Sequence, residues 1–213
     1  YNKATDKLVP WLATEFAWSA SYDTLTFKLR EGVKWSDGQP FTAKDVIYTF
    51  NLVKAKPQLI NNLGSMLVDN VSSFTAKDDL TVEFKFKKIH TPALYVLTGQ
   101  LIVPEHIWKA VSDPLTFTND SPVATGPFTE VTKFDNQIYI IEKNPHYWQP
   151  GKPAFDAIRC PAYPGNDRAN LALAFDELDW AGNFVPAIDR VYVKRRPQAH
   201  AYWFPLTGSC VFL

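Results

Sequence analysis

Residues Leu29 to Phe50 read LREGVKWSDGQPFTAKDVIYTF, and three local signals stand side by side there. The segment leading in, Thr24-Leu25-Thr26-Phe27-Lys28-Leu29-Arg30, alternates polar and apolar residues at period two, the mark of a half-buried strand. Trp35-Ser36-Asp37-Gly38 supplies a turn, because Asp-Gly tolerates positive backbone dihedrals. Thr42-Ala43-Lys44-Asp45 has the pattern of a capping box, in which the Thr hydroxyl accepts from the backbone N–H at Asp45 and the carboxylate reaches back. Phe41 and Val46 stand where a hydrophobic staple packs. Ile47, Phe50 and Val53 share one helix face, and the helix is expected to stop before Pro57. Nothing in this stretch pairs a nucleophile with a base. It reads as scaffold.

Working outward, Leu80, Val82, Phe84 and Phe86 alternate with Thr81, Glu83, Lys85 and Lys87 and predict a second amphipathic strand. An apolar stretch around Leu94–Leu97 and a short helix over 104–111, with Pro104 at its start, follow. Residues 113–127 are rich in Pro, Thr, Ser, Asn and Asp and read as loop. Ile138–Glu142 predicts a strand, and the turn-rich, aromatic stretch 144–151 is the expected domain boundary, dividing 1–143 from 144–213. Beyond it the pattern predicts a strand over 157–163, a helix over 166–175, a short strand at 178–180 and a helix over 186–192. That order suggests a parallel or mixed sheet in the second part.

Composition narrows the function. The chain has 213 residues, 46% hydrophobic and 21% charged, which fits a folded globular protein and not a disordered one. Lys plus Arg equals Asp plus Glu at 22 each, so the formal net charge is zero and no nucleic-acid partner is expected. The short basic run Lys194-Arg195-Arg196 reads as a solvated turn. No apolar run approaches the roughly 18 residues of a membrane span. The chain opens on Tyr1 and closes inside the apolar run Cys210-Val211-Phe212-Leu213, which suggests a processed piece of something longer. Cys160 and Cys210 have no metal or redox spacing and are expected to be two buried thiols, with a single disulfide as the alternative in an exported protein.

Aromatics are the one surplus, at 15%. They fill cores, but they also stack on sugars and wall apolar pockets. His90, His106, His146 and His200 are scattered singly, so no zinc-type cluster is visible and no metal or cofactor is expected. No nucleophile elbow, phosphate loop or dinucleotide fingerprint appears. Asp176, Glu177 and Asp179 could serve a glycosidase only if two of them faced each other across a pocket; otherwise they solvate a helix end. Trp180-Ala181-Gly182-Asn183-Phe184 has the features of a binding loop: a flat indole, small residues admitting a ligand to the backbone, and an amide that both donates and accepts. Trp203, within His200–Pro205, repeats the aromatic–polar alternation. Both indoles read equally well as core residues at strand ends.

The combination resembles family 5 of the extracellular solute-binding proteins of ABC importers. Glu31 to Val46 is similar to that family's most recognisable segment, and Leu8 to Phe16 to its lead-in. Thr125-Gly126-Pro127-Phe128 resembles its Gly-Thr-Gly-Pro-aromatic turn, with Ala124 in place of the first glycine. Asn144-Pro145-His146-Tyr147-Trp148 matches its Asn-Pro-x-Tyr-Trp element, and Ala157 to Gly182 its strand, helix and short strand. Phe175-Asp176-Glu177 departs from the family by lacking a glycine turn there. The resemblance implies an α/β fold of the periplasmic-binding-protein type II kind, with a mixed-sheet lobe and a smaller α+β accessory domain, the second lobe being absent. It further implies an extracytoplasmic receptor, periplasmic or extracellular and in some members lipid-anchored. Such a receptor is monomeric at full length and hands an oligopeptide or an oligosaccharide to a membrane permease without chemistry. The alternatives from other classes are a glycan-acting hydrolase and a stand-alone carbohydrate-binding module.

Overall fold

The alternation at 24–29 becomes β2 (Thr24–Leu29), a central strand of a four-stranded antiparallel sheet ordered β1-β2-β4-β3. Its companions are β1 (Ala13–Trp18), β3 (Val71–Asp78) and β4 (Thr81–Phe86). The computed structural model describes residues 7–202; Trp203, Cys210 and the closing apolar run lie outside them. Leu25 lies opposite Phe84 and Phe27 opposite Val82, so the two apolar faces coincide in register. That is the result expected when side chains alternate at period two across a paired ladder.

Helices cover this face, one of them foremost. α1 (Ala43–Ala55) buries Val46, Phe50 and Val53, and the Phe50 ring meets Phe84 edge-on at 5.0 Å. Edge-to-face contacts of this kind add to the area term that holds the helix down. The helix starts with the predicted capping box, the hydroxyl bonding the Lys44 N–H, one residue before the expected Asp45. Thr42 Oγ1 accepts from Lys44 N–H at 3.3 Å, and the Asp45 carboxylate accepts the Thr42 N–H at 2.9 Å. Phe41 and Val46 are both buried in the same cluster. The helix ends at Ala55, and a 3-10 turn over Pro57–Leu59 leads into α2 (Asn61–Asn70).

α2, absent from the sequence reading, owes its position to a missing side chain. A Cβ on Gly64 would stand 2.6 Å from Pro57 Cα, so only glycine lets helix and turn approach this closely. α3 (Ala93–Thr98) is the apolar stretch, and α4 (Glu105–Trp108) is shorter than the predicted helix over 104–111.

A second sheet, β5 (Phe128–Phe134), β6 (Ile138–Lys143) and β7 (Ala157–Pro161), follows in that order, antiparallel throughout. The parallel pairing expected in this part does not form among the described residues, because β7 turns back onto β6. The 143/144 division therefore falls between two strands of one sheet. α5 (Asn166–Ala174) matches the predicted helix over 166–175, and α6 (Ile188–Val191) lies within 186–192. A 3-10 turn, Val193–Arg195, comes last. No strand forms at 178–180. Cys160, expected to be buried, is exposed on β7.

The stretches that carried the family resemblance meet in space. Ser36 N–H donates to the Ala124 carbonyl at 2.9 Å. Asn144, fully buried, donates from Nδ2 to the Gly126 carbonyl at 2.9 Å and accepts the His146 N–H at 2.8 Å. The Arg30 guanidinium lies over the Trp148 ring at 4.2 Å, and Trp11 meets that ring edge-on at 5.1 Å. Asp45 is the hub. It is only 5% exposed, and besides capping α1 it accepts from Trp35 Nε1 at 3.3 Å and from the Glu105 N–H, which opens α4, at 2.9 Å. A buried carboxylate is tolerable because its oxygens are met by donors in this way.

Candidate functional site

The expected binding loop lies between α5 and α6, and its shape begins with how α5 ends. The Asp176 N–H donates to Leu173 O at 3.2 Å and the Glu177 N–H to Ala172 O at 2.9 Å, the two bonds of a Schellman motif. The left-handed position that glycine usually fills belongs to Asp176, at φ 63°. Aspartate is among the few non-glycine residues that visit this region readily. Its carboxylate is also held from outside: His200 Nε2 bonds it at 2.7 Å and Arg196 Nη1 at 2.8 Å. The missing glycine is thus replaced by a residue whose side chain is anchored.

The chain beyond this cap runs into the loop without forming a strand. Trp180 is 67% exposed and Phe184 76% exposed, so neither is a core residue. Between them Asn183 Nδ2 donates to Asn170 Oδ1 at 3.4 Å, and Asn170 Nδ2 donates to the Phe184 carbonyl at 3.1 Å. These bonds tie the loop to α5, and buried Val185 pins its far end. Ala181 is half-buried and Gly182 exposed. A Cβ on Gly182 would lie 3.7 Å from the Trp180 ring, an ordinary contact, so the indole rests across the glycine backbone. The structure therefore brings Trp180, Ala181, Gly182, Asn183 and Phe184 onto one tethered surface loop; Trp203 lies outside the described residues.

Sequence reasoning missed the neighbours of this loop. Leu171, on α5, and Phe175, which caps its end one turn later, are exposed, and the Arg195 guanidinium stacks on the Phe175 ring at 4.3 Å. The i, i+4 spacing of two large apolar residues was the available signal. The basic run is more than a solvated turn, since Arg195 and Arg196 both bind the end of α5. His106, by contrast, behaves as a surface partner, bonding Asp37 at 2.6 Å.

Two cavities lie elsewhere, in the first sheet. One of ≈ 290 Å³ is lined mainly by apolar side chains, among them Trp11, Phe16, Phe27, Phe50, Leu97 and Ile102. The other, ≈ 610 Å³, is a polar groove with Glu15, Lys28, Arg30, Glu31 and Asp78 on its walls. Asp176, Glu177 and Asp179 line neither; all three are exposed and follow one another around a helix end. The hydrogen bonds from His200 and then from Arg196 hold the Asp176 carboxyl below the usual carboxylate range, the reverse of what a general acid requires. Among the described residues no cluster of His, Cys, Asp and Glu is arranged to hold a metal ion. Nor is any helix there long and apolar enough to cross a membrane.

Residues 7–212 match the profile of the bacterial extracellular solute-binding proteins, family 5. The chain belongs to that family. Protein XP55 of Streptomyces lividans is 34% identical over 185 residues, covering 85% of this chain and 33% of the relative. A putative ABC transporter peptide-binding protein of Brucella ovis is 30% identical over 162 residues, covering 74% of this chain and 30% of its own length. The mannohexaose-bound periplasmic oligopeptide-binding protein of Thermotoga maritima superposes with a TM-score of 0.79 at 28% identity, over 92% of this chain and 36% of that one. The fold is accordingly the α/β, type II periplasmic-binding-protein kind, and this family 5 chain spans about a third of the length of the curated relatives it matches.

Proposed function

We propose that the chain is the accessory part and one wall of the cleft of an extracytoplasmic receptor that captures an oligopeptide or oligosaccharide and passes it to an ABC permease. The single observation carrying the site is the tethered loop at 180–184. It presents an indole and a phenyl ring to solvent while its backbone is fixed to α5 by two asparagines. Exposed aromatics on a loop hydrogen-bonded to a helix suit a stacking wall, since the tethered backbone has less conformational freedom to lose on binding. Trp203 is assigned to the same wall by the sequence pattern alone.

Capture proceeds by closure of two lobes around the solute, with no bond made or broken. Support for a non-chemical role comes from Asp176, whose carboxylate is committed to His200 and Arg196. Support for both solute classes comes from the relatives, one named for peptide binding and another bound to mannohexaose. The working unit is a monomer, placed outside the cytoplasmic membrane and in one version lipid-anchored.

Calorimetric titration of the family-length protein with mixed short peptides and with β-linked oligosaccharides tests this reading. Trp180→Ala should weaken binding of whichever class is held by about 1–3 kcal/mol. Thermal stability should be unchanged, because the ring is already in solvent. Turnover of the oligosaccharide, or unchanged affinity in the variant, would reject the assignment.

A further inference from the structure

His200 is 6% exposed, and both of its ring nitrogens face oxygens that can only accept. Nδ1 lies 2.8 Å from the Tyr192 carbonyl and Nε2 lies 2.7 Å from Asp176 Oδ1. A neutral imidazole carries one N–H and one lone pair, so it can satisfy only one of these acceptors; the imidazolium satisfies both. Tyr192 also stacks its ring on the imidazole at 4.0 Å and 9° between planes, closing one face. Among the described residues the charged groups facing the ring are Asp176 from the end of α5 and Arg196 from beyond the 3-10 turn. Arg196 shares the same carboxylate, so Asp176 gathers two cations.

Asp176 precedes the loop, whereas Tyr192, Arg196 and His200 follow it. The segment carrying Trp180 and Phe184 is thus an excursion whose two ends meet at the Asp176 carboxylate, through His200 on one oxygen and Arg196 on the other. We propose that His200 is a proton-operated clasp: as the imidazolium it closes this excursion alongside Arg196, and when the ring loses a proton to water it gives up one of its two bonds and the far end loosens.

The sign follows from the partners. The Asp176 hydrogen bond, then that of the Tyr192 carbonyl, raises the His200 pKa above its ordinary value, against partial burial and the Arg196 charge. Asp176 moves the opposite way. The clasp is therefore fully closed below the ordinary histidine range and opens as pH rises through the raised value. At the acid end it is lost only as pH falls through the lowered Asp176 value. The clasp stands on geometry alone; only its consequence, a solute wall that loosens in alkaline medium, rests on the reading of residues 180–184 as that wall.

Two measurements on the full chain, made without solute, decide it. The first is an NMR titration of the His200 ring. A midpoint above the free-histidine value of about 6.5 is expected, falling toward that value in Asp176→Asn. The second is tryptic cleavage at the exposed Lys194-Arg195-Arg196, normalised to a peptide substrate for the protease's own pH profile. Its rate should rise severalfold through the same midpoint in the natural chain and show no such step in His200→Gln. A ring that titrates at or below the free value, or a cleavage step that persists in His200→Gln, overturns the clasp. Neither result depends on Trp180→Ala, so failure of the clasp and failure of the binding wall are read separately.

Discussion

The same amino acids do opposite work in the two halves of the molecule. Between Leu25 and Leu97 six large rings are interior: Phe27, Trp35, Phe41, Phe50, Phe84 and Phe86 form one buried cluster with the aliphatics around them, while Tyr48 and Phe74 are half-buried and Tyr95 is exposed. From residue 157 onward the buried apolar residues among those described are Ala169, Ala172, Leu173, Ala174 and Val185, while Phe175, Trp180 and Phe184 face solvent. The first half spends its large rings on holding a sheet to a helix. The second buries small residues and displays large ones. An aromatic surplus in a composition is therefore not one signal, and only the partner on the other side of each ring separates packing from presentation.

The largest way to break this contrast is to truncate one ring from each half. Phe84→Ala removes a fully buried ring touching Phe27, Phe50 and Phe74 and should cost about 3–5 kcal/mol in denaturant unfolding. Phe184→Ala removes a ring of similar size from solvent and should stay within about 0.5 kcal/mol. Comparable losses at the two positions would mean that the second half has a core of its own that Phe184 enters.

Next in size is Asp45→Ala. The substitution orphans the Thr42 N–H, the Glu105 N–H and Trp35 Nε1 together, and should cost about 2–3 kcal/mol. Asp45→Asn keeps the shape and part of the acceptor capacity, so it should recover part of that loss. If the two variants unfold alike, the hub acts through shape and not through hydrogen bonding.

These two predictions mark how far the sequence could be read. β2, the turn at Gly38, the cap of α1 and the alternation of β4 were all legible, because each is written in residues adjacent along the chain. β3 was not. It is an edge strand whose residues after Val71 are half-buried or exposed, so burial imposed no alternation on it. α2 was obscured by Gly64, which is chosen for its closeness to Pro57 and weakens the helical pattern in doing so. The strand expected at 178–180 failed because Asp176 turns left-handed, sending the chain away from any ladder. The capping role of Asp45 could be read from its neighbours, but its bond to Glu105 spans 60 positions and has no local signature. The same is true of His200 and Asp176, 24 positions apart. The loop itself was legible as a binding candidate from its residue types, whereas its exposure required the fold.

The smallest effects come from a single methyl group placed in each half. Gly38 sits at φ 87°, and a Cβ there would meet His146 Nε2 at 3.4 Å, so Gly38→Ala should lose about 1–2 kcal/mol for the left-handed backbone alone. Gly182 has neither constraint: the added carbon would rest 3.7 Å from the Trp180 ring. Gly182→Ala should leave unfolding free energy unchanged or raise it by up to about 0.5 kcal/mol, since alanine restricts the unfolded chain. The informative measurement is then solute affinity. A solute that approaches the backbone at 182 will feel the methyl group and bind more weakly to a protein no less stable. Affinity that ignores the methyl group would confine the contact to the indole face and make the small residues at 181 and 182 a matter of loop geometry only.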